Sequence, residues 1–231
     1  MTIAILSYKS HNTLIQTLHS YQYWNLPHYD NDRVIFFQEI SDEDKKIAKK
    51  YGYIAIGSKE NMGIAEGYKR LVEFSTGEFF LFLENDWRLL ENPAASLTDA
   101  RFLISTGQAD IVRLRHRKTP GWPLWTKQFE GNEMQRPTHL LDCVHWQDTP
   151  ASLFPDYINL TTSYNRVWYT ATSKNANWTN NPHLARTAFI RENVIPHLGN
   201  NDLEKNIQPW WEQQDFKVAQ GDGLFTHDRI D

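Results

Sequence analysis

Apolar residues follow two periods along this chain, and the two alternate. Thr2–Tyr8 (TIAILSY), Arg33–Gln38 (RVIFFQ), Tyr53–Gly57 (YIAIG) and Glu78–Leu83 (EFFLFL) are short apolar runs, which predict strands. Between them Leu14, Leu18 and Tyr21 recur at helical spacing within Asn12–Trp24, as do Ile64, Tyr68, Leu71 and Val72 after Asn61-Met-Gly63; Asp42–Tyr51 reads as a charged helix. EFFLFL is apolar on both faces and so belongs in the middle of a covered sheet. A helix over Pro93–Thr106 and a strand over Asp110–Arg115 continue the series. Such alternation predicts an α/β fold, a doubly wound and mostly parallel sheet with helices on both faces.

Beyond Arg117 the alternation fades. Residues 118–165 are rich in proline and aromatic residues without a clear period, the pattern of a long elaboration laid over the sheet. Arg166–Thr172 predicts a strand, His183–Glu192 a helix, and Phe216–Ala219 and Leu224–His227 two short strands. Leu203, Ile207, Trp210 and Trp211 mark a buried helical stripe that Pro209, which has no N–H, is expected to kink, leaving open either that helix or a short turn before a helix begun by Pro209. Nothing in the pattern marks a linker, so residues 1–231 read as one domain with halves 1–117 and 118–231.

Composition narrows the classes. The 231 residues are 40% hydrophobic and carry a net charge of −4, enough for a core and no overall attraction to nucleic acid. Arg113, Arg115, Arg117 and Lys118 leave a local basic patch open. The single cysteine, Cys143, excludes an internal disulfide framework and reads as a buried thiol in a reducing compartment. MTIAILSYKSHN lacks the form of a signal peptide, and no apolar stretch reaches the roughly 20 residues of a membrane span; the expectation is a cytoplasmic protein. Seven of the nine tryptophans follow residue 117, and among them Trp122, Trp125 and Trp178 are candidates for stacking on a sugar.

Ligands of a parallel α/β sheet meet the carboxyl ends of its strands. Those ends carry Ser7-Tyr8-Lys9, Glu39 with Asp42, Ser58 to Asn61, and Glu84-Asn85-Asp86. The last has carboxylates at i and i+2 on a turn, either a solvated strand end or a seat for a divalent cation with oxygen ligands. No P-loop, no Gly-x-Gly-x-x-Gly at the first strand, no Gly-x-Ser-x-Gly elbow and no Cys/His zinc cluster occurs.

NMGIAEGYKRLVEFSTGEFFLFLEND, together with TIAILSYKSHNTLIQTLHSY, resembles the nucleotide-sugar domain of GT-A glycosyltransferases, in particular family two. Those enzymes show an opening strand ending on Tyr, an Asn-x-Gly turn into a helix, a Gly-Glu before a buried strand, and an Asp-x-Asp motif at its end. Here Glu84 replaces the first Asp. The resemblance implies a GT-A fold with Asp86 as metal ligand for Mn²⁺ (or Mg²⁺), Tyr8 on the base, Glu39 on base or ribose, and Ser7, Asn61, Gly63, Glu84 and Asn85 around the nucleotide. It further implies an acidic base opening a helix, then a Gly-aromatic pair and a late His. Glu204 lies eleven residues before Asp215-Phe216, which departs from the pattern in having no Gly, and His227 follows. Glu204 is preferred to Asp202 as base, His227 is a second metal ligand, and WTNNPHLARTAFI offers Trp178, His183 and Arg186 towards the acceptor or donor sugar. The implied partners are a nucleoside diphosphate sugar, UDP-sugar favoured, and a glycan or glycoconjugate acceptor. Two alternatives are a nucleotide-sugar-forming nucleotidyltransferase, whose glycine-rich loop SYKSHN lacks, and a non-catalytic glycan-binding module on the same scaffold.

Overall fold

In the computed structural model, residues 1–29, 32–124, 137–164, 166–199 and 203–230 are described. Strand alternation divides the interior into two cores. Along β1 (Thr2–Tyr8), Ile3 and Ile5 face one side of the sheet and Ala4 and Leu6 the other, the period of two of a pleated strand. The first core is closed by α1 (His11–Tyr23), α2 (Asp42–Lys50) and α4 (Ala94–Ser105), through Leu14, Leu18, Ile47, Leu97 and Leu103. On the opposite face, α3 (Gly63–Phe74) covers the second core with Ala65, Tyr68, Leu71 and Val72. Helices on both faces make the sheet doubly wound.

The sheet order begins β3-β2-β1-β4, with β2 at Asp32–Gln38, β3 at Ile54–Gly57 and β4 at Phe79–Glu84. These four pair in parallel, and β4 is buried along its apolar length. After β4 come β5 (Trp87–Leu89), which the sequence pattern did not predict, and β6 (Ile111–Arg115). The 118–165 stretch contains more regular structure than its composition indicates: a 3₁₀ helix over Pro137–His145, α5 (Pro150–Leu153) and β7 (Asn159–Ser163). β8 (Arg166–Thr172) follows as expected.

Three expectations need correction. His183–Arg186 is not the start of a helix but β9, inserted antiparallel between β4 and β6. Leu184 enters the first core and Ala185 the second, and so short a run, buried on both sides at its centre, satisfies strand and helix periodicity equally. Helical structure begins only with α6 (Thr187–Phe189). Pro209 breaks nothing: α7 (Leu203–Trp211) is one helix that buries Leu203, Ile207 and Trp211, a case of packing overriding propensity. Finally, the two late strands are one, β10 (Lys217–His227), with a register shift against β6 between Gln220 and Phe225. Gly221-Asp222-Gly223 reads as a turn in sequence but forms an irregularity within the strand.

β10 pairs in parallel with β6 and antiparallel with β5 and β8, so the second half of the sheet is mixed. One sheet thereby crosses both halves of the chain. Arg113, Arg115 and Arg117 do not form a surface patch; they alternate on and just beyond β6, buried to 3%, 6% and 8% exposure. Among the described residues no helix is long and apolar enough to cross a membrane.

Candidate active site

β4, β6 and β10 run in the same direction, so their carboxyl ends deliver Glu84, Arg115 and His227 to one edge. The turn after β4 adds Asp86, whose carbonyl accepts from the Asp228 N–H at 2.8 Å. α7 starts beside them and carries Glu204 in its first turn, where a carboxylate is favoured by the positive end of the helix dipole. Together they line an open cleft of about 730 Å³, shared with Ile64, Trp87, Trp122, Asn180, Asn181 and Arg229 among others.

Three carboxylates, Glu84, Asp86 and Glu204, crowd a cleft that Arg115 and Arg229 also line. Burial, then the charges of Asp86 and Glu204, push the Glu84 carboxyl up to about 8. Asp86 has one carboxylate oxygen, Oδ1, buried without a hydrogen-bond partner, and its other oxygen lies 3.1 Å from Nε2 of His227. Burial alone would lower the His227 pKa, but the hydrogen bond to Asp86 and its charge outweigh that, and the imidazole is raised. Nδ1 of the same ring bonds the Trp122 carbonyl. Since a carbonyl only accepts, Nδ1 carries the proton, and Nε2 meets Asp86 comfortably only with a proton or a cation between them.

An orphaned carboxylate oxygen beside an imidazole nitrogen fits a divalent ion of borderline hardness. Among the described residues, no group of three or more His, Cys, Asp and Glu side chains is arranged to hold a metal. If a cation binds here, Asp86 and His227 would supply two donors, and the remainder would come from water and phosphate oxygens.

Glu204 is exposed to the cleft, and its Oε1 accepts from the Asn180 N–H at 2.6 Å. Arg115 is buried and lowered to about 10, chiefly by desolvation against the opposing pull of Asp142 and Glu204. In the sequence it was passed over as one of four basic residues in a short stretch, Arg113, Arg115, Arg117 and Lys118; its place at a strand's carboxyl end was the available signal.

To one side, the carboxyl ends of β1 and β2 bring Tyr8 and Glu39 together, with Tyr8 Oη donating to Glu39 Oε1 at 3.3 Å. Lys9 pairs with Glu39 at 3.2 Å and lies 4.7 Å from the Tyr8 ring centroid. Lys9, Ser10 and Glu39 have left-handed φ of 52°, 59° and 57°, a strained backbone of the kind that clusters at functional sites. Ser7 is buried with its hydroxyl unpartnered. Asn61 Oδ1 accepts from the Gly63 N–H at 2.9 Å, and Gly63 takes φ 82°, a conformation glycine adopts at no steric cost. Gln38, not singled out from sequence, braces this turn by accepting from Met62 N–H and donating to the Gly63 carbonyl. Asn85 closes the turn after β4 with its N–H on the Leu6 carbonyl.

The WTNNPHLAR stretch reaches the cleft through other residues than expected. Trp178 is buried against Tyr68, His183 and Trp211. His183 is 2% exposed, with Nδ1 on the Asn181 carbonyl and Nε2 on Tyr68 Oη, and burial lowers it to about 4. Arg186 is in register with Phe79, at the amino end of β4, and pairs with Glu78. None of the three lines the cleft: Trp178 packs inward before β9 begins, and β9, antiparallel to β4, carries His183 and Arg186 away from it; Asn180 and Asn181 line it instead. Asp202 and Trp125 lie outside the described residues.

No family model matches the chain, and no curated protein matches it. Among solved structures it is similar to TarS of S. aureus. It aligns over 99% of its length with TarS 1-349 at a TM-score of 0.61 and 14% identity. With TarS 1-349 in complex with UDP-GlcNAc it aligns over its full length at 0.62 and 13%. The chain spans about 60% of those structures and 37% of a longer TarS chain. At this identity the likeness shows the fold, and that fold is the GT-A nucleotide-sugar-transferase fold implied by the sequence resemblance.

Proposed function

We propose that this protein is a metal-dependent, inverting glycosyltransferase that moves a sugar from a nucleoside diphosphate sugar, a UDP-sugar by preference, to a hydroxyl of a glycan or glycoconjugate. The observation that carries the reading is the meeting of Glu84, Asp86, Glu204 and His227 in one cleft at the carboxyl ends of parallel strands. The full-length alignment with a structure holding UDP-GlcNAc supports it.

Asp86 and His227 would hold the cation, Mn²⁺ in preference to Mg²⁺ given the imidazole. When bound, such an ion supplies positive charge to the departing diphosphate. Tyr8 and Glu39, beside the Asn61–Gly63 turn, would receive the nucleoside, with Ser7, Asn85 and Glu84 nearer the phosphates. Glu204 is the general base. Its carboxylate takes the acceptor hydroxyl proton as that oxygen bonds to the anomeric carbon; the bond from that carbon to the diphosphate oxygen breaks, and its electron pair leaves with the diphosphate. Attack from the face opposite the leaving group inverts the centre. The Asn180 N–H orients the base, and Trp122, 76% exposed at the rim, offers a face to an acceptor ring.

Sugar transfer and nucleotide release measured over a donor panel, with Mn²⁺ or a chelator, test the reading. Glu204→Gln should keep calorimetric donor binding and lose transfer by about 10³-fold, the scale of general-base catalysis. Transfer at the parent rate would remove Glu204 from its role. Sugar binding that needs neither metal nor nucleotide would instead identify a glycan-binding module.

A further inference from the structure

Four residues beyond β6, Pro120 to Pro123, lie against His227 without belonging to any strand. The His227 N–H donates to the Pro120 carbonyl at 3.2 Å, and Gly121 forms an isolated parallel bridge to His227. Gly121 has φ 74°, and a Cβ there would stand 2.1 Å from the His227 carbonyl oxygen, so only glycine allows this approach. The Trp122 carbonyl takes the proton of His227 Nδ1.

Arg115 grips the same segment from the other side. Its Nε donates to the Pro120 carbonyl at 2.9 Å, and Nη2 donates to Gly121 at 3.3 Å and Pro123 at 2.7 Å. The guanidinium lies 5.1 Å from the Trp87 ring centroid, and Trp87 meets the His227 ring edge-on at 5.0 Å.

We propose that Arg115 and the Pro120–Pro123 segment form a positioning clamp that sets the tautomer and orientation of His227, so that Nε2 rather than Nδ1 faces Asp86 and the cleft. The partner of one ring nitrogen decides the state of the other. With Nδ1 committed to a carbonyl, the neutral ring presents a lone pair on Nε2 to a cation. The clamp's purpose rests on the reading of Asp86 and His227 as cation ligands, whereas its mechanics do not. Arginine is needed because its planar fork spans three carbonyls; the point charge of lysine does not reproduce that geometry.

The test has two measurements. Nitrogen NMR of the His227 ring in metal-free protein, at a pH high enough to leave it neutral, reports the tautomer. Titration with Mn²⁺ alone, followed by calorimetry, reports affinity. The parent should show the Nδ1–H form. Arg115→Lys and Gly121→Ala should both populate the Nε2–H form and weaken Mn²⁺ by at least tenfold; Arg115→Lys keeps the test available if Gly121→Ala does not fold. Trp122→Ala, which retains the carbonyl, should leave the tautomer unchanged. An Nε2–H parent overturns the clamp, and so does an Arg115→Lys protein with parental tautomer and affinity. A parent in the Nδ1–H form that loses it in the variants, yet takes up no Mn²⁺, upholds the clamp and removes the cation reading instead.

Discussion

Two layers at the carboxyl side of the sheet use the same side-chain types to opposite ends. In the inner layer Arg113 donates to Asp142 at 2.7 Å and also bonds Asn177, while His183 sits between Tyr68 and the Asn181 carbonyl. The charges there are opposite and close, and the histidine is neutral. In the outer layer, two residues further along β6, Arg115 reaches only carbonyls and Asn181, and three acids crowd one cleft. Asp86 keeps an orphaned oxygen and Glu84 is driven towards its protonated form. A satisfied buried network holds a fold together. A cluster of unsatisfied carboxylates open to solvent marks a place for a ligand, and on the proposed reading a cation carrying a diphosphate would supply their partner.

Substitutions across the two layers should separate these roles. The largest effect belongs to Asp86→Ala: metal-dependent turnover should fall about 10³-fold or more, several kcal/mol in the transition state, with the denaturation midpoint unchanged because a crowded acid has been removed. A large loss of stability without loss of Mn²⁺ binding would reverse the assignment of that residue. Asp142→Ala should do the opposite, destabilising by about 3 kcal/mol because Arg113 is left buried and unpaired. Urea unfolding measures this, and Mn²⁺ affinity should be retained.

The smallest effect concerns protons. Burial lowers His145 and His183 to about 4. Between the unfolded value near 6.5 and that folded value the unfolded chain binds more protons, so stability falls as pH is lowered through this window. By pH 5.5 each histidine contributes a loss of about 1 kcal/mol. His183→Gln should therefore flatten the pH dependence of the urea midpoint below pH 6.5, and ring NMR at pH 5.5 should find His183 neutral and His227 charged. Equal titration of the two rings would erase the distinction between the layers.

Much of the first half could be read directly because its signals are local. TIAILSY and EFFLFL became β1 and β4 within a residue of the expected bounds, since strand burial on both faces writes itself as a continuous apolar run. Asp86, Glu204 and His227 were singled out through the resemblance, and all three line one cleft although more than a hundred residues separate Asp86 from the other two. HLAR misled because so short a run, buried at its first three residues, carries no distinguishing period, and with β9 misread, His183 and Arg186 were expected at a cleft they do not line. Gln38 was missed because it acts on a turn 25 residues away, and Arg115 because nothing in sequence shows the Pro120–Pro123 segment folding back onto it.

The sequence by itself therefore determined the alternation of elements, the two covered faces of the sheet and the strand ends that bear acids, because hydrophobic period and turn chemistry are properties of neighbouring residues. Only the tertiary structure decided which charges would be satisfied. Arg113 and Arg115 differ by two positions and point to the same face of β6, yet one meets a carboxylate and the other the carbonyls of a loop. His183 and His227 are chemically identical until burial and partners set one near 4 and raise the other. Desolvation and Coulomb interactions depend on distance through space, and chain order carries little of that information.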